Sequence, residues 1–181
     1  MSILKIAIVG AECSGKSTLC TLLAKHYKTI YVPEYACEYL AKLTSPELYT
    51  LNDIQSINIG QLQSEHLLAQ RGNKLLVCDT SPLVNKVWAE VKYGICPTPI
   101  LQSIVENTYD YYFLASPDFP WENAPFREHP NDREELFLRY KKELLSYGFK
   151  FEIIHGTLLQ RMQQCTHIIN ATMGVNIPLI S

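Results

Sequence analysis

Apolar residues along this chain come in short unbroken runs, separated by stretches in which they recur with helical spacing. The first run, Ile3-Leu4-Lys5-Ile6-Ala7-Ile8-Val9, predicts a strand buried on both faces. Residues 16–27 predict a helix with Leu19, Leu22, Leu23 and His26 on one face. Thr29-Ile30-Tyr31-Val32 predicts a short second strand ended by Pro33, and residues 34–43 return to helical spacing. A longer helix is expected over 53–70. Leu75-Leu76-Val77-Cys78 is the third apolar run in the sheet, and it ends on Asp79-Thr80. Ser81 then reads as an N-cap and Pro82 as a first-turn proline. They lead a helix with Leu83, Val84, Val87, Trp88 and Val91 on its apolar side and Gly94 just past its end. A helix over about 98–107 precedes the strand Tyr111-Tyr112-Phe113-Leu114, and Lys150-Phe151-Glu152-Ile153-Ile154 supplies a fifth strand before a helix near 158–169.

Strands alternating with helices predict an α/β fold: a five-stranded parallel sheet with helices on both faces. One segment breaks the alternation. Between the fourth strand and the next helix, residues 116–130 hold Pro117, Pro120, Pro125 and Pro130 together with Trp121 and Arg127. A connection of that length is usually functional, so a lid over about 116–133 is expected. Asn131 and Glu134 have the spacing of a capping box that would restart the fold, and Phe137, Tyr140 and Leu144 predict the buried face of the helix that follows.

The chemistry is concentrated where the first strand ends. Gly10-Ala11-Glu12-Cys13-Ser14-Gly15-Lys16-Ser17 places two glycines, a lysine and a hydroxyl at the spacing of a phosphate-binding loop, between a strand and a helix. In that arrangement backbone N–H groups and the positive helix end surround a β-phosphate. Lys16 reaches the β and γ oxygens, Ser17 coordinates magnesium and Thr18 adds a hydroxyl to the α-phosphate. The fold expectation sharpens to a P-loop NTPase of the nucleoside/nucleotide-kinase kind, binding ATP and Mg2+. Glu34 and Asp79 stand just past strand ends, where ligands of open α/β sheets collect. Phosphoryl transfer needs one carboxylate for the acceptor hydroxyl and one for the metal's water shell. Asp79 suits the shell and Glu34 the acceptor, although either can take either role; read alone, they also suit a helix cap and a helix start. Arg127 and Arg133 flank the end of the lid, from which a guanidinium can neutralise charge on the transferred group.

Composition narrows the partners. The 181 residues are 47% hydrophobic and 19% charged, with a formal net charge of −2 and no cluster of Lys and Arg. One domain over 1–181 with an ordinary core is expected, and nucleic acid is not an expected partner. Every apolar run is short, and the first strand begins within two residues of Met1. Neither a membrane span nor a signal peptide is therefore expected, and the location expected is cytoplasmic. Cys13, Cys20, Cys37, Cys78, Cys96 and Cys165 lie far apart without C-x-x-C spacing, which favours reduced thiols. The oligomeric state is left open.

Gly10 to Ser17, Glu34-Tyr35-x-x-Glu38-Tyr39, Asp79-Thr80, Pro120-Trp121, Phe126-Arg127 and Pro130-x-Asp132-Arg133 occur in an order that resembles the ribosylnicotinamide kinase domain of NadR-type proteins. The resemblance runs from Ile6 to about Arg161. It implies transfer of the ATP γ-phosphate to the ribose 5′-hydroxyl of nicotinamide riboside, with aromatic rings and a carboxylate around the cationic pyridinium. Tyr35, Trp88 and Trp121 are the stacking candidates; Tyr35 and Trp121 carry the higher weight, since Trp88, on an apolar helix face, reads more readily as core. Likeness to small-molecule kinases implies adenine near the lid start and the turn His155-Gly156-Thr157. The chain departs from the family pattern at Cys37, where an arginine is usual, and at Asn123-Ala124-Pro125, where an acidic-glycine pair is usual. It carries no H-x-G-H adenylyltransferase signature, so a stand-alone kinase is expected. The alternatives are a kinase for another nucleoside or metabolite, and an ATPase switch. A GTPase is disfavoured because Asn85-Lys86 continues as Val87-Trp88 rather than completing N-K-x-D.

Overall fold

The computed structural model describes residues 3–179. Its elements in chain order are β1 (Leu4–Val9), α1 (Lys16–His26), β2 (Tyr31–Val32), α2 (Tyr35–Leu40), a 3-10 turn (Pro46–Leu48), α3 (Leu51–Ala69), β3 (Leu75–Asp79), α4 (Pro82–Tyr93), α5 (Thr98–Glu106), β4 (Tyr111–Ala115), α6 (Arg133–Ser146), β5 (Phe151–Ile154) and α7 (Leu158–Met173). The five strands form one parallel sheet in the order β2-β3-β1-β4-β5. The chain winds to one side of β1 and then crosses to the other, so the C-terminal ends beside β1 form the crevice in which such sheets bind ligands.

Alternation along the strands separates two cores. Ile6, Ile8, Leu75, Val77 and Phe113 face α1 and α7, burying Leu19, Leu23, Cys165 and Ile169. Ala7, Val9, Leu76, Cys78 and Leu114 face the other way, onto Leu83, Val84 and Val87 of α4 and Leu136, Tyr140 and Leu144 of α6. Each fully buried aliphatic side chain contributes about 1.5–3 kcal/mol. A third cluster off the sheet edge joins Ala36 and Leu40 of α2, Tyr49, Ile54 and Ile57 of α3, and Ile100 of α5. It backs the mouth of the crevice.

Several expectations change in detail. The second strand shrinks to Tyr31–Val32, and α2 stops at Leu40. On α1 the buried residues are Leu19, Cys20, Leu23 and Ala24, a face rotated away from Leu22 and His26. The capping box expected from Asn131 and Glu134 is not formed. The helix starts one residue later, with Asp132 at the N-cap position and no side-chain capping bond, because Arg133 is drawn to the Phe119 carbonyl and Asp132 lies near His129. The buried row on α6 is accordingly Leu136, Tyr140 and Leu144, with Phe137 only half-buried. Ser81 does stand at the N-cap of α4, and Gly94 closes that helix with φ 74°. All six cysteines are unpaired, and among the described residues no helix is long and apolar enough to cross a membrane.

Candidate active site

The site grows from the loop between β1 and α1. Gly10 has φ +146°, and a Cβ there would stand 2.7 Å from the Ala115 carbonyl oxygen at the end of β4. Gly15, the α1 N-cap, has φ +76°, and a Cβ there would meet the Phe119 ring at 2.7 Å. Only glycine permits both the close approach and the left-handed turn. The first-turn N–H groups of α1 are thereby aimed into the crevice, a ready-made phosphate cradle. Lys16 Nζ donates to the Ala11 carbonyl at 2.9 Å, and Ser14 Oγ donates to the same oxygen at 2.7 Å. The ammonium is held across its own loop.

Two carboxyls lie close enough to this lysine to feel its charge. Asp79, the last residue of β3, is 2% exposed, and its Oδ1 has no hydrogen-bond partner among the described residues. Burial raises its pKa, while Lys16 and the Ser17 hydroxyl oppose the rise. It caps nothing. Glu34 takes the N-cap position of α2 but makes no capping bond, which leaves its carboxyl free. Burial pushes that carboxyl up to about 7; Lys16 opposes the rise, whereas Asp79 and Glu12 add to it. The buried, unpartnered Asp79 oxygen beside the Ser17 hydroxyl fits a magnesium ion that keeps most of its water. Among the described residues no three His, Cys, Asp or Glu side chains form a preformed metal cage. Magnesium in phosphate sites does not require one, since phosphate and water supply most of its ligands.

A cavity of about 390 Å³ opens over the loop, within the range of small-molecule sites. Gly10 through Thr18, Glu34 and Arg127 all line it. Asp79 lies beneath, against the Lys16 side. Other expected residues are not brought to its walls. Tyr35 is turned away: its ring lies against the bare backbone of Gly60, and its N–H donates to Gln61 Oε1 at 2.9 Å. Trp121 Nε1 is bonded to Asn123 Oδ1 at 2.7 Å within the lid. Arg133 donates to the Phe119 carbonyl at 2.7 Å and braces the lid root. Gly156 is outside the cavity, but its carbonyl accepts from Arg161 Nε at 3.0 Å and its N–H donates to Asp118 at the lid start. The turn and the lid start meet there.

The aromatic wall of the cavity is instead Trp88, Phe126 and Tyr140. Trp88 reaches it because α4 presents one edge to the sheet core and the next to the crevice, a distinction that helical period alone does not make.

Two further residues matter beyond what local patterns indicate. Glu12 sits inside the phosphate loop, yet its carboxylate accepts the backbone N–H groups of Glu128 at 3.0 Å and His129 at 3.1 Å. It clamps the lid to the loop. Cys13 Sγ adds a second tie, to the Glu122 carbonyl at 3.4 Å. Arg161, fully buried, donates to the Ser14 carbonyl at 2.8 Å, the Ser116 carbonyl at 2.9 Å and Asp118 at 3.0 Å, and its guanidinium lies over the Phe119 ring. One side chain thus joins the phosphate loop, the lid root and the turn after β5. The sequence signal is an arginine in the core register of α7, with Cys165 and Ile169 below it.

With this geometry in place, comparison with known proteins gives a consistent picture. A family model described as an AAA domain matches residues 5–161. The trifunctional NAD biosynthesis/regulator protein NadR of Salmonella typhimurium is 29% identical over 176 residues, 93% of this chain and 42% of the relative. The Escherichia coli protein of the same name is 29% identical over 175 residues. The chain therefore spans less than half the length of the curated relatives it matches. Among solved structures, a NadR protein in complex with NR superposes with a TM-score of 0.82 at 19% identity, covering 99% of this chain and 53% of that one. A NadR protein in complex with NAD and AMP-PNP superposes with a TM-score of 0.78 at 19% identity, over 99% and 52%. The α/β fold, with its five-stranded parallel sheet and phosphate loop, is the fold these structures share.

Proposed function

The chain belongs to the AAA domain family, and from that premise we propose that it is a kinase, transferring the γ-phosphate of ATP to the ribose 5′-hydroxyl of nicotinamide riboside. One observation carries the reading. A single cavity is lined by a phosphate cradle and by the Glu34 carboxyl, whose hold on its proton burial strengthens. That combination suits a hydroxyl acceptor. The likeness of nearly all of this chain to part of the NadR proteins supports a pyridinium nucleoside as that acceptor, and the NadR complex with AMP-PNP supports ATP as donor.

The residues divide the work as follows. Lys16 exchanges the Ala11 carbonyl for phosphate oxygens and, with Arg127 from the lid, stabilises charge on the transferred group. Glu34 accepts the proton of the acceptor hydroxyl as the oxygen attacks phosphorus in line with the leaving ADP. Ser17 and Asp79 would hold magnesium, which neutralises phosphate charge when bound. Arg133 and Gly156 shape the lid root and the adenine-side turn without entering the cavity. Trp88 and Phe126 supply the aromatic faces for the base.

ATP consumption with magnesium, measured with and without nicotinamide riboside and beside a panel of common nucleosides, tests the reading. Strong stimulation by nicotinamide riboside is expected, and Lys16→Ala should lower it by about two to three orders of magnitude. Stimulation by a different nucleoside would keep the kinase and replace the acceptor. Hydrolysis that ignores every acceptor would overturn the kinase in favour of an ATPase switch.

A further inference from the structure

A chain of side chains runs from Trp88 on the cavity wall to the lid. Trp88 Nε1 donates to the Tyr49 hydroxyl at 2.6 Å, and that hydroxyl donates to Glu128 Oε2 at 2.7 Å. Lys92 Nζ pairs with Glu128 at 3.1 Å and lies over the Tyr49 ring at 3.4 Å. Tyr49 is 4% exposed, and its main-chain carbonyl accepts from the Tyr93 hydroxyl. A phenol has one proton to donate and lone pairs to accept with. Tyr49 therefore bonds Trp88 and Glu128 at once, with its proton committed to the carboxylate. Burial and the Glu128 bond both raise its pKa, so that proton stays in place.

Glu128 is also the residue at which the lid is clamped from the other side, since its N–H donates to Glu12 in the phosphate loop. Its neighbour Phe126 holds φ +67° at the tip of the lid and lines both the main cavity and a second one of about 290 Å³ beneath the 125–128 segment. A bulky residue in that conformation costs about 1–3 kcal/mol and persists only where its surroundings hold it. The Glu12 and Tyr49 bonds to Glu128, two residues further on, are part of those surroundings.

We infer that Glu128 and Tyr49 are positioning residues for the acceptor: with the lid shut, Glu128 orients Tyr49, and Tyr49 fixes the Trp88 indole against the bound base. The inference rests on the kinase reading above. By linkage, an acceptor that packs on the fixed indole favours the shut lid by the factor by which the shut lid favours the acceptor. Acceptor fit is thereby tied to lid closure over the phosphate loop, through side-chain hydrogen bonds rather than through a group that takes part in the chemistry.

Kinetics on whichever nucleoside the wild type phosphorylates best provide the test. Tyr49→Phe, which deletes one oxygen, should raise the acceptor KM about three- to tenfold, the worth of a net hydrogen bond or two, with a smaller rise in the ATP KM through the loosened lid and kcat little changed. Glu128→Ala should do the same. Glu128→Gln keeps an acceptor oxygen for Tyr49 and should restore most of the loss. Trp88 and Glu128 share no bond, so the acceptor-KM effects of Trp88→Phe and Glu128→Ala should fall short of additive in the double variant, because either change alone breaks the relay. An unchanged acceptor KM in Tyr49→Phe, or strictly additive effects in the Trp88 and Glu128 pair, would overturn the relay while leaving the kinase standing. A substrate-free arm separates the two ideas. Trypsin should cut after Arg127 about three- to tenfold faster in Tyr49→Phe than in wild type if the relay holds the lid, with no faster cleavage elsewhere. An unchanged cutting rate would overturn the relay even in a protein that phosphorylates nothing.

Discussion

The two ends of the cavity are built on different plans. The phosphate end comes from one contiguous stretch, Gly10 to Thr18, held by backbone conformation between a buried strand and a helix. The proposed acceptor end comes from Glu34, Trp88 and the lid segment 126–129, with Tyr49 behind Trp88, held largely by side-chain hydrogen bonds between distant parts of the chain. Phosphate binding is a local property, carried by eight or nine residues wherever they sit between strand and helix. Acceptor choice is a tertiary property that exists only once the third cluster and the lid have assembled. Changes at the first end should remove turnover, whereas changes at the second should move the acceptor KM and leave chemistry running.

The strongest challenge to that division is Glu34, which stands with the acceptor end but to which the proposed kinase mechanism gives a chemical role. Glu34→Gln should lower kcat by about 10²-fold or more, the usual worth of a general base. The pH dependence follows from its raised pKa. A base must be ionised to accept a proton, so kcat/KM should rise as pH passes through about 7 and level off above it. Stability runs the other way. A carboxyl that keeps its proton longer when folded makes the folded chain lose stability as pH climbs from its ordinary value of 4.5 towards 7. This group is thus most useful where it is least comfortable. A pH–rate profile without a limb near 7, or one unchanged in Glu34→Gln, would move the base elsewhere.

The same contrast explains what could be read along the chain. The five strands, their alternation with helices, the phosphate loop and the positions of Glu34 and Asp79 all follow from local signals: apolar runs, glycine spacing and a polar residue at a strand end. The acceptor wall does not. Trp88 lies on an apolar helix face, and nothing in its spacing distinguishes an indole facing the sheet from one facing a cavity. Tyr35 and Trp121 have more promising neighbours, yet one packs on Gly60 and the other bonds Asn123. Asn131 and Glu134 have capping-box spacing, but the pull of Phe119 on Arg133 decides where α6 begins. Local pattern fails wherever a long-range hydrogen bond competes with it.

Arg161 bridges the two plans, and removing it should affect both folding and nucleotide binding. Arg161→Met preserves much of the volume but leaves the carbonyls of Ser14 and Ser116 without their donors and Asp118 without its charge partner. Stability should fall by about 3 kcal/mol, seen as a lowered thermal midpoint. The ATP KM should rise more than the acceptor KM, since the Ser14 carbonyl belongs to the phosphate end. A midpoint unchanged within a degree or two would mean that water replaces the guanidinium at little cost.

Glu12 gives the finest test, because its two plausible effects have opposite signs. A carboxylate in a phosphate loop should repel ATP, and if that were its main influence, Glu12→Gln would tighten ATP binding. The structure gives the carboxylate another role, accepting two lid N–H groups across the cavity. Bonds to a charged acceptor exceed those to a neutral one by about 1 kcal/mol. Glu12→Gln should therefore loosen the lid and raise both the ATP and the acceptor KM about fivefold. The substitution also removes one of the charges that raise the Glu34 pKa, so the limb near 7 should move to lower pH. Higher KM values together with a downward-shifted limb would mark Glu12 as the tie between the two ends. Tighter ATP binding would mean that the phosphate loop and the lid close independently, and the division between the two ends would then be complete.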